Sequence, residues 1–221
     1  MSFVIAINIT LAFSSNAKSI DTLSIAIPVN EEVLIKNDPY FVHLKRAYKS
    51  LNIPVKFIIM PGARSYRMLL KGKISGSYPR YTSIVLNSEV LSITDGFEIE
   101  QNIYAFSFTP IESKSVVEYT LSHRPDKIGT VRGIKVVEYY VSENKIRLFN
   151  HIDHLIGALK EGKVDIILET EAVMQRYEDN STPFYRSPKP IVKGKITQVL
   201  HKNHQDIIEK LANHFAKNPV N

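Results

Sequence analysis

The chain has 221 residues, 44% of them hydrophobic and 23% charged, with a net charge of +6 and no cysteine. That length allows one large or two small lobes with real cores, and the composition excludes a disordered or fibrous protein. Lys and Arg are spread along the chain rather than clustered, which speaks against nucleic-acid binding, and without cysteine there is no disulfide framework and no thiol nucleophile.

Residues 1–17 contain no charged side chain. The apolar run 3–13 is too short to cross a bilayer, and Ser15-Asn16-Ala17 puts small residues where a signal peptidase cleaves. The segment reads as a secretory signal cut after Ala17. The competing reading, a buried first strand, is weaker because the next strand begins only at Leu23. No later segment is long and apolar enough for a membrane helix.

A strand is expected over Leu23–Pro28. Asp38-Pro39 then opens a helix, with Asp as N-cap and Pro at the first helical position. Tyr40, Phe41, Leu44, Ala47, Tyr48 and Leu51 recur at helical spacing, and Val55–Met60 is a second strand, which completes a βαβ unit. A helix over 64–71 ends at Gly72, and a third strand over 73–77 leaves Arg80 just beyond its carboxyl end. Residues 84–108 are rich in strand character, and 116–122 reads as a helix.

The stretch 127–169 reads as strand, turn, helix, strand, helix, strand. Strands are expected at 127–131, 145–149 and 164–168, the last a continuous apolar run suited to burial on both faces. Between them Ile152, Leu155, Ile156 and Leu159 mark a helix that Gly162 stops. Alternating strands and helices imply a parallel sheet flanked by helices, with ligands beyond the carboxyl ends of the strands. The turn after Val131 and the segment after Leu168 therefore fall on a binding edge. A helix is expected over 170–177 and a Pro-rich loop over 183–190. A strand follows over 195–200, and then a closing helix with Ile207, Ile208, Leu211 and Phe215 on its apolar face.

G-T-V-R-G-I at 129–134 and L-K-E-G-K-V-D-I-I-L-E at 159–169 resemble the second lobe of bacterial extracellular solute-binding proteins of family 3, the amino-acid-binding type. The resemblance extends over the remaining chain. Asn102–Ser107 resembles the strand that crosses from lobe one to lobe two, 195–200 the returning strand, and His201-Lys202-Asn203-His204 an element before the closing helix. It implies an α/β, two-lobed periplasmic binding protein-like (type II) fold with two crossing hinge strands. Lobe one would take 18–104 and 193–221, and lobe two 105–192.

The site implied is a cleft that closes on a small polar ligand such as an amino acid or small carboxylate. Arg80, placed where a subgroup of the family has its ligand-binding Arg, would fork onto a carboxylate. Arg132, Gly133 and Ile134 would approach from lobe two, with backbone amides available to an anion. Thr170 stands where many members carry an Asp for the ligand amine, flanked by Glu169 and Glu171, and Ser75 replaces another family Asp. Tyr81, Tyr78 and Phe106 could form apolar walls, although core packing is the usual fate of aromatics. Arg64 and Arg67 read equally well as solvated helix charges. His151 and His154, and His201 and His204, form two separated pairs, short of the three convergent ligands a metal needs.

No G-x-S-x-G, H-E-x-x-H or phosphate-loop motif occurs, so no enzyme and no cofactor is expected. Two alternatives stay open: a dehydratase-like enzyme on the same fold, using Glu169 or Glu171, and a ligand-free sensory domain. The expected protein is a periplasmic monomer serving uptake through an ABC permease or signalling through a membrane sensor. If the signal reading holds, mass spectrometry of the exported protein finds Lys18 at its N-terminus; an intact Met1 in the cytoplasm overturns it.

Overall fold

The computed structural model describes residues 21–28, 35, 38–85, 88–111, 118, 124–134, 136–137, 146–178 and 183–219. The expected signal at 1–17 lies outside them, as does the expected helix at 116–122 apart from Glu118. Among the described residues no helix is long and apolar enough to cross a membrane.

The chain folds into two α/β lobes, each built on a five-stranded sheet. In the first lobe β1 (Leu23–Pro28), α1 (Pro39–Ser50), β2 (Val55–Met60), α2 (Gly62–Leu70), β3 (Gly76–Tyr81) and β4 (Leu91–Glu100) follow one another. The second has β5 (Ile103–Ser107), β6 (Ile128–Val131), β7 (Arg147–Phe149), α3 (Ile152–Lys160), β8 (Ile166–Thr170), α4 (Glu171–Met174) and β9 (Tyr185–Arg186). The chain then returns as β10 (Lys195–His201) and ends in α5 (Gln205–Lys217). Strand orders are β2-β1-β3-β10-β4 and β7-β6-β8-β5-β9.

Local chemistry accounts for the helices. Asp38 caps α1 by accepting the Tyr40 N–H at 2.8 Å, with Pro39 in the first turn. Gly72 and Gly162, with φ of +62° and +65°, end α2 and α3 in the left-handed conformation that glycine adopts without strain. In the first lobe α1 buries Phe41, Leu44, Ala47 and Tyr48, and α5 buries Ile207, Ile208, Leu211 and Phe215. Phe215 stacks on Phe97 of β4 with ring centroids 4.7 Å apart. The second core gathers Leu155, Ile156 and Leu159 of α3 against Ile128, Ile166 and Ile167.

The strand expected over 164–168 runs from Ile166 to Thr170 and the helix expected over 64–71 from Gly62 to Leu70, and three further elements change more. The third strand runs from Gly76 to Tyr81 rather than over 73–77, so Arg80 lies inside it, paired with Thr197 of β10. The antiparallel ladder with β10 carries the strand past the end of its local apolar pattern. The loop expected at 183–190 contains β9, whose Tyr185 and Arg186 pair with Ser107 and Phe106. The helix expected over 170–177 is only Glu171–Met174, with Thr170 as the last residue of β8 and as N-cap.

Two crossing segments join the lobes side by side. Gln101 N–H donates to the Gly194 carbonyl and Ile103 N–H to that of Val192, both at 2.9 Å. Phe215→Ala should destabilise the protein by about 3–5 kcal/mol, since it empties a buried aromatic site. Urea unfolding measures this, and a loss below about 1 kcal/mol would show that α5 is not part of the lobe core.

Candidate functional site

Where the lobes face each other, Pro28, Pro79, Arg80, Tyr81, Ile84, Gln101, Ile103, Gly133, Ile134, Glu169, Thr170 and Ile196 surround about 490 Å³ of empty space, part of it open to solvent. Of the residues singled out from the sequence as ligand contacts, Arg80, Tyr81, Gly133, Ile134, Glu169 and Thr170 line it, and Arg132, Tyr78 and Phe106 do not. The Arg132 side chain is exposed, while Ile134, two residues on, is buried. The tight turn, with a φ of +100° at Gly133, therefore faces the cavity with Gly133 and Ile134.

Arg80 projects from β3 and is only 5% exposed. Its Nε donates to Ser77 Oγ at 3.0 Å, and its Nη2 donates to the Gly62 carbonyl at 2.9 Å and to Ser65 Oγ. Both hydroxyls are already oriented: Ser77 donates to the Ala26 carbonyl at 3.1 Å and Ser65 to that of Gly62 at 2.9 Å. Each therefore turns a lone pair toward the guanidinium. A buried cation is tolerated only with such compensation, and the result is a donor group held rigidly at the cavity wall.

Glu169 comes from β8 on the other lobe and is 1% exposed. One of its carboxylate oxygens accepts the Thr170 N–H at 2.8 Å. Nearby, burial first, then a hydrogen bond with Asp153, raises the Tyr177 phenol above its ordinary pKa, and the negative charge of Glu169 adds to the shift. Thr170 uses its hydroxyl to accept the Val173 N–H at 3.4 Å as the cap of α4. The cavity thus has a cationic wall on one lobe, an anionic wall on the other, and Pro, Ile and Tyr side chains between.

Other candidates fall elsewhere. Tyr78 is buried in the first core, stacked on Phe41 and donating to Asp38 Oδ2 at 3.2 Å. Phe106 belongs to the second core. Arg64 and Arg67 are exposed on α2. Glu171 is exposed and pairs with Arg186 at 2.6 Å. Ser75 ties the β3 approach to β1 by accepting the Ser24 N–H at 3.1 Å. Asp165 pairs with Lys127 at 3.7 Å. His151 and His154 lie with ring centroids 5.7 Å apart, and His201 is buried beside Gly72, accepting the Asn203 N–H. Among the described residues no three His, Asp or Glu side chains converge as a metal site.

Several functional neighbours escaped the sequence. Gly62, Ser65 and Ser77 hold Arg80, and Pro28, Ile84, Gln101 and Ile196 line the cavity, yet only the assembled fold brings them there.

No family profile matches the chain, and no curated protein does. Solved structures do match in fold. A histidine kinase sensor domain with similarity to periplasmic binding proteins superposes with a TM-score of 0.71 at 13% identity, over 89% of this chain and 90% of that one. The arginine-bound form of truncated ArgBP from T. maritima gives 0.65 at 14% identity, over 89% and 95%. An ABC uptake transporter substrate-binding protein from Streptococcus pneumoniae with bound histidine gives 0.65 at 13%, over 89% and 86%. The chain therefore has the two-lobed periplasmic binding protein-like fold.

Ser77→Ala should cost about 1–3 kcal/mol in unfolding free energy, because it takes an acceptor from a buried cation. Arg64→Ala should stay within about 0.5 kcal/mol. Equal effects in urea titrations would mean that Arg80 is no better anchored than a surface arginine.

Proposed function

We propose that the protein is a periplasmic solute-binding protein that closes on a small polar ligand, an amino acid or small carboxylate, for uptake or sensing. The observation that carries this reading is the pair of buried opposite charges, Arg80 from one lobe and Glu169 from the other, lining a single cavity. A guanidinium with fixed geometry suits a carboxylate, and a carboxylate opposite it suits an ammonium. Gly133 and Ile134 would close over the ligand from lobe two, Thr170 would border its amine end, and Tyr81 would supply an apolar wall.

The lobes would comprise 18–104 with 193–221, and 105–192. Supporting that division, the crossing segments pair at Gln101–Gly194 and Ile103–Val192. After removal of residues 1–17 the protein would act in the periplasm as a monomer. It would deliver its ligand to an ABC permease or report it to a membrane sensor, without nucleic acid and without a cofactor. Binding rather than catalysis is favoured because Glu171, the second acid considered for an enzyme, is exposed and paired with Arg186, and it borders the adjoining opening beside Tyr40 and Gln175 rather than the space that Arg80 lines. Fold neighbours carry bound arginine, histidine and glutamine, which puts amino acids first among candidates.

A thermal-shift screen over amino acids, small carboxylates and polyamines tests the reading. A ligand at a hundred times its Kd should add about 2.7 kcal/mol to stability. Arg80→Ala should then weaken the identified ligand by about 2–5 kcal/mol in calorimetry, and Arg80→Lys should recover only part of that, since an ammonium lacks the planar fork. No shift with any compound, or equal affinity in all three proteins, overturns the assignment.

A further inference from the structure

Gly62 opens α2 in the first lobe, Gly133 lies in the turn after β6 in the second, and their backbones meet across the cleft. A Cβ added to Gly133 would stand 2.8 Å from the Ala63 nitrogen, 3.0 Å from the Gly62 carbonyl carbon and 3.2 Å from the Gly62 Cα. Those neighbours are backbone and cannot swing away. Seen from Gly62 the contact is looser: a Cβ there would lie 3.7 Å from the Cα and carbonyl oxygen of Gly133 and 3.9 Å from the carbonyl oxygen of Arg132. Two carbonyl oxygens of the second lobe thus stand beside the first turn of α2, where the helix amides carry partial positive charge and favour the approach. The same turn holds Arg80, through the Gly62 carbonyl and Ser65 Oγ.

We propose that Gly62 and Gly133 are positioning residues: their side-chain-free contact is the stop that sets how far the lobes close, and so brings Arg80 and Glu169 to one cavity. A side chain at either place, once longer than the gap allows, wedges the lobes apart while leaving each lobe intact. The contact also ties closure to the ligand group, because α2 cannot shift away from Gly133 without moving the carbonyl and hydroxyl that hold Arg80. This role rests on the closing-cleft reading of function, yet it can be tested with no ligand at all.

Small-angle scattering of the full chain decides it. The wild type should scatter as the closed shape of the structure. Gly133→Ala should show a larger radius of gyration. Gly62→Ala, whose Cβ fits in ordinary contact, should match the wild type, whereas Gly62→Leu should open the cleft like Gly133→Ala. Gly162→Ala replaces another left-handed glycine, φ +65°, with nothing within 4 Å of the new Cβ, so it changes a positive-φ turn without the contact and should stay closed. Leu improves helix propensity over Gly, which keeps Gly62→Leu informative even if the strained turn of Gly133→Ala does not fold. An open wild type, or a Gly62→Leu protein as compact as the wild type, overturns the proposal. If the ligand screen finds no binder while the scattering series behaves as stated, the binding reading fails and the stop stands; the converse result separates them the other way.

Discussion

Hydrogen bonds between the crossing segments, among them Gln101 to Gly194, Ile103 to Val192 and Ile191 to Ile103, hold the lobes at a fixed spacing on one side of the cleft. What gives them leverage is where the crossing strands end. β10 enters the first sheet between β3 and β4, and β5 enters the second between β8 and β9. An interior strand is bonded along both edges and cannot slip register alone. On the proposed closing of the cleft, bending would concentrate in the few residues between the sheets, and each lobe would turn as a unit. Ile103 and Ile196, just beyond those residues, line the cavity, so its floor stays in place while its walls approach.

The charged side chains at the cavity wall are held by local groups. Arg80 donates to Ser77 on its own strand and to Gly62 and Ser65 on α2. The Glu169 carboxylate is likewise oriented by the neighbouring Thr170 amide in the second lobe. The proposed closure would remove water from between the two side chains and raise the strength of each interaction with whatever lies there. Where the solute-binding resemblance led one to look for carboxylates, Ser75 and Thr170 offer hydroxyls engaged with backbone amides. Those positions serve the local architecture, which leaves Glu169 as the anionic wall.

Much of this was legible in the sequence, for reasons that act over short distances. Asp38-Pro39 marks a helix start because the cap and the fixed φ of proline work within one turn, and Gly72 and Gly162 mark helix ends because a left-handed residue is needed there. The apolar spacing of α3 and α5 reports their buried faces directly. Arg80, Tyr81, Gly133, Ile134, Glu169 and Thr170 could be singled out because strand ends and tight turns gather at one edge of such sheets, and because their motifs resemble a known family.

Tertiary structure alone decided the rest. β3 extends to Tyr81 because β10, more than a hundred residues later, pairs with it. β9 exists because β5 offers a free edge, although its own residues form a Pro-rich stretch. Arg132 stays off the cavity that Gly133 and Ile134 line, and Arg80 is buried through a helix turn and a strand that no local pattern connects to it. Local propensities are set by neighbours a few residues away, whereas ladder pairing, burial of a guanidinium and contact of two glycine backbones depend on segments that meet only after the chain has crossed between lobes and returned.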